Sequence, residues 1–173
     1  MADLTLINRA YDDVHTISLL VANRPGVLVR VALIFSRRGF NVESLVVSST
    51  MDGKFSRMTI TARGDRSVLD QIIKQATKLV DVVMATEHQD QQSVEKELAL
   101  IKLVLTQETR MDVLQVIDHF KAQTVDLTQE SVIVQITGST EKLDACVDML
   151  HPYGIVEVVR TGKIVMARGQ EQT

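Results

Sequence analysis

Apolar residues alternate along 14-VHTISLLVA-22, which predicts a strand with Ile17, Leu19 and Val21 on one face. The spacing then lengthens. Leu28, Val31, Ile34 and Phe35 recur at helical intervals over residues 26–38, with Arg30 and Arg37 off the stripe and Gly39 as a C-cap. Two further strands, 41-NVESLVVSST-50 and 55-FSRMTITAR-63, flank 51-MDGK-54, whose Asp-Gly pair signals a hairpin. A second helix begins near Ser67, with Asp70 completing a capping box and Leu69, Ile72, Ile73, Ala76 and Leu79 facing inward. A short strand, 80-VDVVMAT-86, closes the unit.

The same order then returns. After the polar stretch 87-EHQDQQS-93 comes a strand at 95-EKELALIKLVLT-106 and a helix from about Arg110 with Met111, Leu114, Ile117 and Phe120 inward. A hairpin at 123-QTVDLTQESVIVQIT-137 follows. Next is a helix from about Ser139 with Leu143, Cys146, Val147 and Leu150 inward, and a last strand at 154-GIVEVVRTG-162. Two split βαβ units predict an α+β chain of two tandem ferredoxin-like βαββαβ domains. Each would be an antiparallel four-stranded sheet with two helices on one face. The helix-free face of the first sheet is expected to carry Leu45 and Val47, too apolar to stay wet without a partner.

Composition narrows the function classes. The chain has 173 residues, a net charge of -3, 3% aromatic residues and one cysteine. That balance offers no general attraction to nucleic acid or anionic membrane. A single cysteine excludes an internal disulfide, and Cys146 on a buried stripe reads as a core thiol. His15, His88, His119 and His151 have no second histidine at ligand spacing and read as surface or edge residues. No nucleotide-binding, nucleophile-elbow or zinc-protease pattern occurs, and Asp12-Asp13 reads as a solvated pair, so nothing argues for catalysis, a bound metal or a cofactor in this chain. RNA-recognition modules share the strand order but stack bases on aromatics, and here Phe55 stands alone. No secretory pattern and no apolar run of roughly 20 residues is present. The expectation is a soluble, cytoplasmic protein.

The junction 23-NRPG-26 is unusual. Helix starts leave N–H groups without intrahelical partners, commonly met by a Ser, Thr or Asp side chain. Here Pro25 and Gly26 supply no such oxygen, and Asn23 is the nearest candidate. Glycine would let another molecule approach the amides, and a helix start can hold a carboxylate. The alternative is a tight strand-to-helix turn with water on the amides. Asn41 likewise reads either as a ligand-facing amide or as a turn residue after Gly39. The second repeat has no glycine at its junction, 105-LTQETRMD-112, where Thr109 can cap the helix.

Residues 23-NRPGVLVRVALIFSRRGFNVESL-45 resemble the ACT domain, a regulatory module that binds amino acids. With 56-SRMTI-60, 79-LVDVV-83, 95-EKELALIKL-103 and 155-IVEVVRTG-162, nearly the whole chain is similar to the small regulatory subunit family of acetolactate synthase (acetohydroxyacid synthase). The resemblance implies a non-catalytic subunit that activates a large catalytic subunit and makes it sensitive to valine, in the biosynthesis of valine, leucine and isoleucine. Thiamine diphosphate, a divalent metal and FAD would belong to that large subunit. It implies a homodimer with sheets side by side and the effector at the seam. The Gly26-Val27-Leu28 amides would hold the effector carboxylate, Asn23 and the partner copy's Asn41 would take its ammonium, Pro25 would pre-set the turn, and Val42 would form an apolar wall. Val29 departs from the family, which carries a small or polar residue there, and its bulk would reshape the pocket. The expected division is an effector-binding ACT domain over 1–88, a linker over 89–93 and a ferredoxin-like domain over 94–173 for assembly or docking. The competing reading is a stand-alone ACT-type sensor acting on another enzyme or on transcription, against which the match through the second half counts.

Overall fold

The computed structural model describes residues 14–88, 92–170 and 173. The Asp12-Asp13 pair and residues 89–91 of the expected linker lie outside them. The first repeat comprises β1 (Val14–Ala22), α1 (Val27–Arg37), β2 (Asn41–Ser49), β3 (Phe55–Arg63), α2 (Arg66–Ala76) and β4 (Val82–His88). Its strands form an antiparallel sheet in the order β2-β3-β1-β4. The second repeat comprises β5 (Ser93–Val104), α3 (Arg110–His119), β6 (Gln123–Leu127), β7 (Ser131–Gly138), α4 (Thr140–Leu150) and β8 (Ile155–Arg160). Its sheet runs β6-β7-β5-β8, and β9 (Ile164–Ala167) adds a fifth strand beside β5 that the sequence pattern did not predict. Four residues give too short an alternation to separate from a loop. The chain forms two compact units, one holding the first repeat and the chain from Ala167 onward, the other spanning Val94–Met166.

Each unit has its own aliphatic core. In the first, the cross-strand pairs Ile17↔Ile60 and Leu19↔Met58 place four core side chains on one face of the sheet. Val27, Val31 and Phe35 of α1 and Leu69, Ile72 and Ala76 of α2 close over them. Burying each large aliphatic side chain contributes about 1.5–3 kcal/mol. In the second, Ala99, Ile101 and Leu103 meet Val132, Val134 and Ile136 under Val113, Ile117, Leu143, Cys146 and Leu150.

Several expected details are corrected. α1 begins at Val27, so its stripe is 27, 31 and 35, and Leu28 falls on the flank at 42% exposure. In α3 the stripe is Val113, Val116 and Ile117, and Met111 is 64% exposed. The cap of α2 is Asp65, whose carboxylate accepts from Ser67 N at 2.7 Å, and not a box between Ser67 and Asp70. β4 starts at Val82 because Leu79 N and Val82 N close turns onto Ala76 O and Leu79 O. Gly39, at φ 72, does end α1: Gly39 N bonds Ser36 O and Phe40 N bonds Phe35 O, the paired bonds of a Schellman motif.

Leu45 and Val47 also change sides. They lie opposite Ile60 and Met58, and partners across a ladder share a face. Both therefore point to the helix-covered side. They are half-exposed because β2 is an edge strand, not because the other face is bare. The helix-free face carries Thr16, Ser18, Thr59 and Thr61 at its centre, all buried, with Ser18 Oγ and Thr61 Oγ1 lacking a hydrogen-bond partner among the described residues.

Cys146 is fully buried on α4, and burial pushes its thiol pKa up. Deprotonation is thereby suppressed, and the thiolate is the reactive form. In a thiol titration near pH 8, the native chain is expected to resist alkylation and to react fully once denatured. Rapid labelling of the folded chain would show that α4 opens.

Candidate functional site

The strand-to-helix junction of the first repeat is held from both sides. Ala22 N bonds Asp81 O at 2.7 Å and Asn23 N bonds Lys54 O at 3.0 Å. The Asn23 side chain does not cap α1. Its Nδ2 donates to Gly53 O at 3.1 Å and Ser49 Oγ at 3.4 Å, which ties the junction to the β2–β3 hairpin and leaves Oδ1 unengaged among the described residues. Pro25 has no N–H to satisfy. Gly26, the N-cap, sits at φ 83 and ψ -10, a left-handed conformation that L side chains rarely adopt. Glycine is therefore required by the turn itself, as well as leaving its amide approachable.

The four helix starts differ in how their amides are met. Asp65 caps α2, and the Ser139 hydroxyl accepts from Lys142 N in α4. At α3 the expected Thr109 cap is replaced by a reciprocal pair: Thr109 N donates to Thr106 Oγ1 and Thr106 N to Thr109 Oγ1, each at 3.2 Å. At α1 no side chain caps the helix. Val27 N reaches Arg24 O at 3.4 Å, while the Gly26, Leu28 and Val29 amides meet no acceptor among the described residues. Of the three amides expected to hold a carboxylate, Gly26 and Leu28 are open and Val27 is weakly engaged, its side chain in the core. Val29, in the first turn, is 61% exposed.

Two charged residues join this junction that sequence spacing did not single out. Arg30 Nη2 pairs with Asp81 Oδ2 at 2.6 Å, and Arg30 Nη1 lies 3.5 Å from where a Cβ on Gly26 would stand. A positive group thus flanks the open amides. The i+4 spacing from Gly26 to Arg30 was the only local signal; Asp81 arrives from a distant turn.

Asn41 and Val42 stand elsewhere in the chain. Asn41 opens β2 opposite Arg63, and Val42 lies opposite Ala62. Asn23 is bonded to Ser49 at the other end of that strand. Eight residue steps at about 3.3 Å put the two asparagines roughly 26 Å apart. One chain does not bring them into one site. The histidines divide as well. His119 and His151 are exposed, but His15, expected at the surface or edge, is 7% exposed. No cluster of His, Cys, Asp and Glu suited to a metal occurs among the described residues, and no helix among them is long and apolar enough to cross a membrane.

Comparison with known proteins is consistent across both repeats. Residues 17–84 match the family model of the AHAS small subunit-like ACT domain, and residues 96–169 match that of the small subunit of acetolactate synthase. The acetolactate synthase small subunit of Mycolicibacterium smegmatis is 44% identical, over 90% of this chain and 91% of its own length. That of Bacillus subtilis is 40% identical, again over 90% and 91%. The crystal structure of the acetolactate synthase small subunit from Thermotoga maritima superposes with a TM-score of 0.82 at 37% identity, covering 91% of this chain and 99% of that one.

Proposed function

This chain belongs to the family of acetolactate synthase small subunits, and we propose that it is the non-catalytic regulatory subunit of such an enzyme. In this role it activates a large subunit that carries the thiamine diphosphate, metal and FAD, and it confers feedback inhibition by valine. The observation that carries the reading is the start of α1: Asp65 and Ser139 cap α2 and α4 with side-chain oxygens, whereas the glycine-marked α1 has no side-chain cap and presents open amides beside Arg30. Such a terminus suits the carboxylate of an amino acid.

The second half of the site comes from a partner copy. β2 is an edge strand, and α1 lies on its side of the sheet while α2 lies toward β4. Val42, Leu45 and Val47 on β2 and Val29 and Leu33 on α1 are all exposed. An apolar strip beside an unpaired strand edge favours edge-to-edge pairing. Two β2 strands set antiparallel about a two-fold axis bring the partner copy's Asn41 to the Asn23 end, which the 26 Å separation of about eight residues otherwise forbids. Valine would then bridge protomers, and its ammonium would meet amide oxygens from each.

The test is acetolactate formation by the large subunit, with and without this chain, across a valine titration. The chain alone is expected to form no product. With the large subunit, it should raise the rate and make it fall with valine. Asn41→Ala should weaken inhibition by about tenfold while leaving activation, since it removes one contact of roughly 1–1.5 kcal/mol. Activation without any valine response would leave the subunit assignment standing and remove the effector.

A further inference from the structure

Phe40 connects α1 to β2 and directly precedes Asn41. Three features place this residue. Its backbone N–H closes the end of α1 on Phe35 O. The ring lies against Gly64 so closely that a Cβ there would stand 2.5 Å from Phe40 Cε2 and 2.6 Å from Cζ. The His15 ring lies beside it, with centroids 6.3 Å apart. His15 is itself pinned: Nδ1 meets Glu87 Oε1 at 3.2 Å and Nε2 meets Gly64 O at 3.1 Å, while Glu87 Oε2 takes Arg66 Nη2 at 3.1 Å. The clamp thus ties β1, β4 and the β3–α2 junction around one ring, and Phe40 is 6% exposed.

This matters because the strand ladder does not set the position of Asn41 on its own. The register of β2 against β3 shifts between Val42 and Ser44, so Asn41 and Val42 are separated from the continuous ladder by an irregularity. A bulge of this kind re-aims side chains near it. Beyond that irregularity Asn41 is held by its pairing with Arg63, by the adjoining Val42↔Ala62 pair, by the Arg63–Glu43 ion pair at 2.8 Å, and by the residue immediately before it. Gly64, which makes room for the Phe40 ring, is the residue immediately after Arg63.

We propose that Phe40, clamped by Gly64 and His15, is a positioning residue that aims Asn41 into the effector site of the partner copy. The inference rests on the shared-site reading above. It assigns a regulatory consequence to a cluster that contains no ligand-binding group and lies roughly 26 Å, eight strand residues, from the site its own protomer completes with Gly26.

The experiment uses full-length chain, large subunit and valine. Phe40→Leu and Gly64→Ala are each expected to raise the half-inhibitory valine concentration by about tenfold, roughly 1.4 kcal/mol, with activation unchanged. Mixed dimers separate positioning from general damage. Phe40→Leu paired with Asn23→Ala restores one complete site, because one protomer supplies Asn23 and the other an undisturbed Asn41. Phe40→Leu paired with Asn41→Ala restores none. Recovery in the first mixture and not in the second supports the proposal. Recovery in neither, or a Phe40→Leu chain with the original valine response, overturns it. If Asn23→Ala and Asn41→Ala themselves respond normally, the shared-site reading has failed and the proposal falls with it. Gly64→Ala keeps the question decidable should Phe40→Leu prove unstable.

Discussion

Leu45→Lys is expected to convert the proposed dimer to a monomer at micromolar concentration, as measured by light scattering or sedimentation. Leu45 faces the helix side of the edge strand, opposite Ile60, at 38% exposure. In the lone chain a lysine there extends into water, so folding is little affected and the melting temperature should fall by only a few degrees, about what 1 kcal/mol does. In the proposed seam each protomer would bury an unpaired ammonium. The effective cost is several kcal/mol per ion, it applies twice by symmetry, and each 2.7 kcal/mol is about a hundredfold in dissociation constant. Loss of the dimer should also abolish the valine response, since each site would lack its Asn41. Val83→Lys serves as the control. Val83 is exposed on β4, the opposite edge, and the charge there should change neither assembly nor response. A Leu45→Lys chain that remains dimeric would mean that the copies pair through another surface.

Gly26→Asp should abolish valine inhibition through charge, and the backbone makes the test sharper than a simple substitution. An aspartate at the amide cluster would sit where the effector carboxylate is proposed to bind. Two like charges at about 4 Å repel by roughly 4 kcal/mol at an effective dielectric of 20. Arg30 Nη1 is within reach of a side chain at 26, but Asp81 already holds that guanidinium, so the repulsion is only partly offset. The fold would tolerate the change if residue 26 kept a negative φ. It does not: φ is 83. Any L residue there costs about 1–2 kcal/mol, with Asp and Asn the best tolerated. Gly26→Asn is therefore the matched comparison. It carries the same backbone strain with no charge and should lower the melting temperature as Gly26→Asp does while retaining part of the valine response. Equal loss in both variants would attribute the effect to the turn rather than to an anion site.

What the sequence determined by itself was whatever depends on local period and turn chemistry. The strand from 14 to 22, the strand from 55 to 63, the Asp-Gly hairpin and the Gly39 helix end were all legible, because alternation, helical spacing and glycine each act within a few residues. The repeat of one element order pointed to the α+β class, and the run from Asn23 to Leu45, together with the matching second half, pointed to the family. Errors began where the signal was a single step. One residue of helix start decided whether Val27 or Leu28 entered the core, and two apolar neighbours give the period no way to choose. Register decided the rest. That Leu45 and Val47 share a face with the core follows only from their pairing with Ile60 and Met58, and that β2 is an edge follows only from the strand order. The sign of φ at Gly26, the arrival of Asp81 beside Arg30, and the burial of His15 against Glu87, Gly64 and Phe40 likewise join residues far apart in the chain. A sequence pattern records which residues prefer to be buried. Only the closed sheet, by pairing strands that are distant in sequence, decides which of them meet.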